Sequence, residues 1–139
     1  MNARKQLHLP SRLADDIVRQ AGFCFPEEGC GILVGSPDSE PPLVTQLHDA
    51  RNISERPRVH YVLDPAAHVR AAREARRDGL SILGFWHSHP HSPAVPSATD
   101  LADAFADFSY LIVGEDHSLR SWRLVDGNFL EEDLCLMDG

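Results

Sequence analysis

Residues 80–86 form a nearly unbroken apolar run that ends in His87-Ser88-His89-Pro90. An apolar stretch of this length that does not alternate with polar residues predicts a central strand, covered on both faces. Two histidines at i and i+2 of an extended segment point to the same side, so one divalent ion at the strand's end can reach both rings. After a proline-rich loop comes Ser97-Ala98-Thr99-Asp100, and Asp100 completes a three-ligand set. Three ligands of the His/His/carboxylate kind leave a fourth tetrahedral position for water, the arrangement of hydrolytic rather than closed structural zinc. The chain is therefore expected to carry out metal-assisted hydrolysis.

The remaining pattern supplies a frame for that strand. Ser11 is placed to cap a helix over residues 11–21, with Leu13, Ile17 and Val18 on one face and Gly22 at its end. Residues 30–35 predict a buried strand, residues 43–47 a partner for it, and residues 59–63 a further short strand stopped by Asp64-Pro65. Asp64 caps the next helix with Pro65 at its first position, and Gly79 stops it just after Asp78. Arg70, Arg73 and Arg77 share one stripe of that helix, read as a solvated face or as a docking surface for an acidic partner. A helix over 98–108 and strands near 110–114, 119–124 and 129–134 complete the chain, with Asp126-Gly127 as a hairpin turn. The expected fold class is α/β or α+β, a mixed β-sheet flanked by helices, in one domain spanning the 139 residues.

A formal net charge of −8 argues against broad nucleic-acid binding, which needs a dense positive surface. No apolar run approaches a membrane span, and the short patch at residues 7–10 after Met1 to Gln6 is no secretory signal region, so a cytoplasmic location is expected. Cys24, Cys30 and Cys135 are odd in number and lack C-x-x-C spacing, which predicts buried thiols. His8, His48, His60, His68 and His117 are scattered and read as ordinary core or surface residues. His91 continues the i, i+2 spacing, but Pro90 interrupts the strand and leaves it at the rim.

Hydrolysis also needs a base to accept the water's proton and return it to the leaving amine, for which Glu27 and Glu28 are candidates. Ser97-x-x-Asp100 also has the form of a helix start, and a helix there would hold Asp100 in place. Taken together, Pro26-x-Glu28-x-Cys30-Gly31-x-Leu33-x-Gly35, His87-Ser88-His89-Pro90 and Pro96-Ser97-x-x-Asp100 resemble the JAMM/MPN+ metalloprotease family, closest to its compact prokaryotic branch. Tyr61 with Asp64-Pro65, Gly84 before Trp86, and the strand around Trp122 fit the same pattern.

The resemblance implies a cytidine-deaminase-like fold and a protease that cuts the peptide or isopeptide bond after the C-terminal tail of a ubiquitin-like protein. Similar bacterial proteins trim sulfur-carrier proteins to expose a Gly-Gly end. By the same resemblance His87, His89 and Asp100 bind one Zn²⁺, Glu28 activates the water and Ser97 helps hold the tetrahedral oxyanion. The chain is too short for the long insertions with which larger members grip ubiquitin chains. Two rivals are a RadC-like DNA-repair-associated protein, against which the negative charge counts, and a non-catalytic scaffold on the same fold. A nucleobase deaminase lacks support because the H-x-E and P-C-x-x-C signature is missing.

Overall fold

The computed structural model describes residues 6–139; residues 1–5, which hold most of the segment read above for a secretory signal, lie outside the described residues. Among the described residues seven strands and three helices follow in the order β1 (Gln6–Pro10), α1 (Ser11–Cys24), β2 (Cys30–Ser36), β3 (Leu43–Ala50), α2 (Pro65–Arg77), β4 (Ser81–Ser88), α3 (Ala98–Asp103), β5 (Ser109–Val113), β6 (Leu119–Val125) and β7 (Asn128–Met137). Among the described residues no helix is long and apolar enough to cross a membrane.

The strands close into a barrel in the order β1-β3-β2-β4-β5-β6-β7. β4 lies between β2, antiparallel to it, and β5, parallel to it, so the strand bearing the histidines is central as its apolar run requires. The register slips on β4, where Leu33 pairs Gly84 and Val34 pairs Ile82, leaving Leu83 between them. This bulge sends Leu83 and Trp86 to the side of α1, with Leu13, Ala14 and Ile17, and Phe85 to the side of α2, with Ala67, Ala71 and Ala75. An all-alanine contact face lets α2 lie close to the sheet. At Gly31 a Cβ would collide with the Trp86 indole, so this glycine is what allows the ring to cross β2.

Several expectations need correction. Ser11 is the first residue of α1 rather than its cap; Pro10 holds that position without a side-chain hydrogen bond, and the helix continues through Gly22 to Cys24. Residues 59–63 form no strand and keep a single bridge, Asn52 to Leu63. Part of their backbone is met by the Asn52 side chain, which accepts from Val62 N at 3.0 Å and donates to His60 O at 3.1 Å, while Val62 O accepts from Ile53 N at 2.8 Å. The helix expected over 98–108 stops at Asp103 because nothing on it is buried, and Phe105 N then donates to the Tyr110 hydroxyl at 2.8 Å. Of the three thiols only Cys30 is buried, while Cys24 is exposed and Cys135 half-buried.

Strand β1 was not foreseen. Five residues with one buried leucine on either side of His8 carry little signal, yet they pair in parallel with β7 over five positions and touch β3 at His8, closing the ring. The hairpin at Asp126-Gly127 does form, with both residues in the left-handed region at φ 51° and 82°.

Candidate metal centre

β4 delivers His87 as its penultimate residue, and the chain stays extended through His89, whose N–H donates to Val113 O at 2.7 Å. The two rings are 1% and 6% exposed. Their Nε2 atoms lie 3.2 Å apart, and Asp100 Oδ2 sits 3.2 Å from the first and 3.1 Å from the second. His89 Nδ1 donates to Pro93 O at 2.9 Å, so in the neutral ring Nε2 is a lone pair aimed at the other two atoms. The Tyr61 ring stacks on His87, with centroids 4.3 Å apart and planes 20° apart, which fixes the plane of that imidazole.

Asp100 comes from the opposite side, on α3. Ser97 caps this helix by accepting from Asp100 N at 3.0 Å, while Ser97 N donates to Asp100 Oδ2 at 2.9 Å, a reciprocal capping box. The box turns the Asp100 carboxylate toward the histidines and leaves the Ser97 hydroxyl proton free of that bond. Burial works against the carboxylate, but in the absence of a cation any proton that His87 or His89 carries on Nε2 is donated to it, which holds its pKa well below the usual range.

Glu28 completes the cluster from β2's approach. Its carboxylate and the two imidazoles offer ligand atoms within 4.8 Å of one another. The segment is pinned to β4 by a pair of bonds, Ser88 N to Gly29 O at 3.0 Å and Gly29 N to Ser88 Oγ at 2.8 Å. Burial pushes the Glu28 carboxyl up to about 7, with His89 opposing and Asp100 adding to the shift. Glu27, the other candidate base, is exposed and outside the cluster. His91 is exposed too, set edge-on to the Phe25 ring at 5.5 Å and not among the converging atoms.

The donor set fits a divalent cation. A lone-pair nitrogen, a second imidazole nitrogen and a carboxylate oxygen at mutual distances of 3.1–3.2 Å repel one another unless a proton or a cation lies between them. These separations are close to the edges of a tetrahedron with bonds of about 2.0 Å, the zinc–nitrogen value. Burial lowers the pKa of His87 against the pull of Asp100, which favours the neutral imidazole that a metal requires.

One residue of this region had no signal in the sequence reading. Asn52 uses all of its amide hydrogen-bonding capacity: Nδ2 donates to Glu28 O at 2.9 Å and His60 O at 3.1 Å, and Oδ1 accepts from Ser54 N and Val62 N at 3.0 Å each. It joins the Glu28 backbone to the segment bearing Tyr61. His60 in turn meets Asp103 on α3 at 3.2 Å. An asparagine outside any periodic element is invisible as a hub until its four partners are brought together. Beside these residues a cavity of about 390 Å³ opens, lined by Tyr61, Leu63, His68, Phe85, Phe105 and Tyr110 among others.

The chain is similar to several known proteins. Residues 10–125 match the model of the prokaryotic homologs of the JAB domain. The chain is 38% identical to a desampylase of Haloferax volcanii over 76% of each chain. It is 32% identical to a probable TtuB-protein conjugate cleaving protease of Thermus thermophilus, over 87% of this chain and 78% of the other. A CysO-cysteine peptidase of Mycobacterium tuberculosis is 30% identical over 91% and 88% of the two chains. Among solved structures, a protein of Desulfitobacterium hafniense superposes with a TM-score of 0.87 at 29% identity, covering 96% of this chain and 94% of that one. A JAB1/MPN domain protein of Archaeoglobus fulgidus shares the fold, with a TM-score of 0.58 at 20% identity over 92% and 95% of the two chains.

Proposed function

The chain belongs to the prokaryotic JAB-domain family, and from that premise we propose that it is a zinc-dependent peptidase or isopeptidase. Its substrate bond is the one after the C-terminal tail of a ubiquitin-like or sulfur-carrier protein. The relatives named desampylase, conjugate cleaving protease and CysO-cysteine peptidase support hydrolysis at such a bond. The observation that carries the zinc reading is the meeting of His87 Nε2, His89 Nε2 and Asp100 Oδ2 within 3.2 Å, with the His89 tautomer fixed by Pro93.

In this reading His87, His89 and Asp100 hold one zinc ion per chain, in one catalytic domain working in the cytoplasm. Bound zinc would supply Lewis acidity, activating water and polarising the scissile carbonyl. Glu28 takes the proton of the attacking water and returns it to the leaving nitrogen; burial, which places its pKa at about 7, suits a group that must do both near neutral pH. Ser97 donates its hydroxyl proton to the developing oxyanion, while its Oγ lone pair and backbone N–H hold Asp100. Tyr61 keeps the His87 ring from tilting.

The test is zinc content measured together with intact-mass analysis of a sulfur-carrier protein extended after Gly-Gly, comparing wild type with Glu28→Gln. Loss of the extension with wild type only, at one zinc per chain, is the expected result. Bound zinc with an intact carrier would sink the substrate assignment. A chain that takes up no zinc at neutral pH would leave the scaffold reading in its place.

A further inference from the structure

Seven of the twelve arginines fall between residues 51 and 77, a stretch in which only Glu55, Asp64 and Glu74 are acidic, in a chain with a formal net charge of −8. The chain is thus polarised, with its positive charge gathered on one segment. Among the described residues none of these seven guanidiniums makes an ion pair, whereas Arg19 pairs with Asp16 and Arg120 with Glu131. On α2 the geometry explains why. Ala67, Ala71 and Ala75 face the sheet, which leaves Arg70, Arg73 and Arg77 exposed on one outer stripe. Glu74, the acid within helical reach of Arg70 and Arg77, is turned to His48 instead, Oε2 to Nδ1 at 3.4 Å. Val69 on the same helix is 58% exposed, and Val62, just before it, 39%.

This face begins at the candidate centre. Leu63, Pro65 and His68 line the cavity together with Tyr61, whose ring stacks on His87. From there the 13 residues of α2 run for roughly 18–20 Å. An extended tail covers about 3.3 Å per residue, so five or six tail residues bridge the distance between a body seated on the far half of α2 and a bond at the histidines.

We propose that the outer face of α2, with Arg70, Arg73 and Arg77 around Val69, docks the globular body of the substrate protein through an acidic face of that body. The inference rests on the function proposed above and adds to it the place and the charge of the body contact. Unpaired guanidiniums on an otherwise acidic protein attract an acidic partner and turn away a basic one, which acts on encounter and affinity rather than on the bond-breaking step.

The experiment compares wild type with Arg70→Glu/Arg73→Glu/Arg77→Glu, both full-length and zinc-loaded. The substrates are an acidic ubiquitin-fold sulfur-carrier protein extended after its Gly-Gly end, and a short peptide carrying the same tail and extension alone. The expected result is a KM for the carrier raised tenfold or more at unchanged kcat, with peptide cleavage unaffected. Wild-type KM should climb with salt and that of the triple variant should not. The milder Arg70→Gln/Arg73→Gln/Arg77→Gln should fall between them, and Arg12→Glu on α1 should match wild type. A carrier KM within twofold of wild type in the triple variant overturns the docking surface while leaving the protease intact. The same holds if the substitutions instead split a dimer of this chain or abolish binding of single-stranded RNA at unchanged KM. Cleavage of neither substrate by wild type overturns the proposed function itself, and this surface with it.

Discussion

The two sides of the candidate centre are built in opposite ways. Glu28, His87 and His89 stand where β2 and β4 meet, each no more than 6% exposed, on backbone tied by ladder bonds and by Ser88 to Gly29. Asp100 and Ser97 stand on α3, a helix of six residues that buries none of them and is held by its capping box, its contacts with the histidines and a His60–Asp103 pair at 3.2 Å. One side is placed by the fold and the other by the site itself. A ligand carried on a buried strand keeps its position without the metal, whereas one on an exposed single turn depends on the groups it binds, which makes α3 the element most free to yield when substrate enters.

The sharpest way to break this comparison is to remove one ligand from each side. His87→Ala and Asp100→Ala should both lose stoichiometric zinc and all measurable cleavage, but His87→Ala should lower the stability of the metal-free protein more, because it opens a cavity beside Tyr61 where Asp100→Ala loosens only α3. Zinc analysis and denaturant melts of the chelated proteins read both effects; full zinc in Asp100→Ala would remove it from the ligand set. Next come the groups given chemical roles. Glu28→Gln should lower kcat by roughly 10²–10⁴ and Ser97→Ala by roughly 10²–10³, each with zinc still bound. Wild-type turnover in either variant, measured by single-turnover cleavage, would end that assignment.

Smaller effects separate the tethers. Asn52→Ala frees four hydrogen-bond partners on the strand side and should cost about 2–4 kcal/mol. The Glu28 carboxyl, raised by burial from 4.5 to about 7, destabilises the metal-free fold once ionised. A raised folded-state pKa means that its contribution to stability is full below the unfolded value of 4.5 and is lost as pH rises through 7. Metal-free Glu28→Gln should therefore exceed metal-free wild type in stability by about 2–3 kcal/mol at pH 8, with the gap closing below pH 4.5. His60→Ala, which cuts the His60–Asp103 pair and the Ser54–His60 hydrogen bond, should cost about 1–2 kcal/mol. Its mark should be faster zinc loss to a chelator, since α3 then hangs on its ligand alone; an unchanged rate would show that the capping box is tether enough.

The sequence read best where one local rule decides the outcome. The apolar run before His87 could only be a covered strand, Asp64-Pro65 supplies a cap and a rigid first turn, and Asp126-Gly127 supplies two residues that tolerate positive φ. It read worst where a partner decides. Residues 59–63 have the composition of a strand, but the Asn52 amide takes the Val62 N–H and the His60 carbonyl, and backbone pairing is confined to the one bridge beside them. Residues 104–108 have a helical pattern, but without a face to bury the helix ends at Asp103. Cys24, at the end of α1, was expected inside and lies exposed because the helix overruns its Gly22 stop.

By itself, the sequence determined the central strand, the histidines and carboxylates proposed as ligands and the family pattern they compose, because residue type and spacing are local properties. Only the tertiary structure decided that β1 closes the barrel and that Asp100 arrives 3.1–3.2 Å from both imidazoles. It alone made Asn52 the link between the Glu28 backbone and the Tyr61 segment, and left the arginines of α2 without an ion pair among the described residues. Each of these depends on which distant atoms meet, and a hydrogen bond or an ion pair has no signature in the chain until both of its ends are in place.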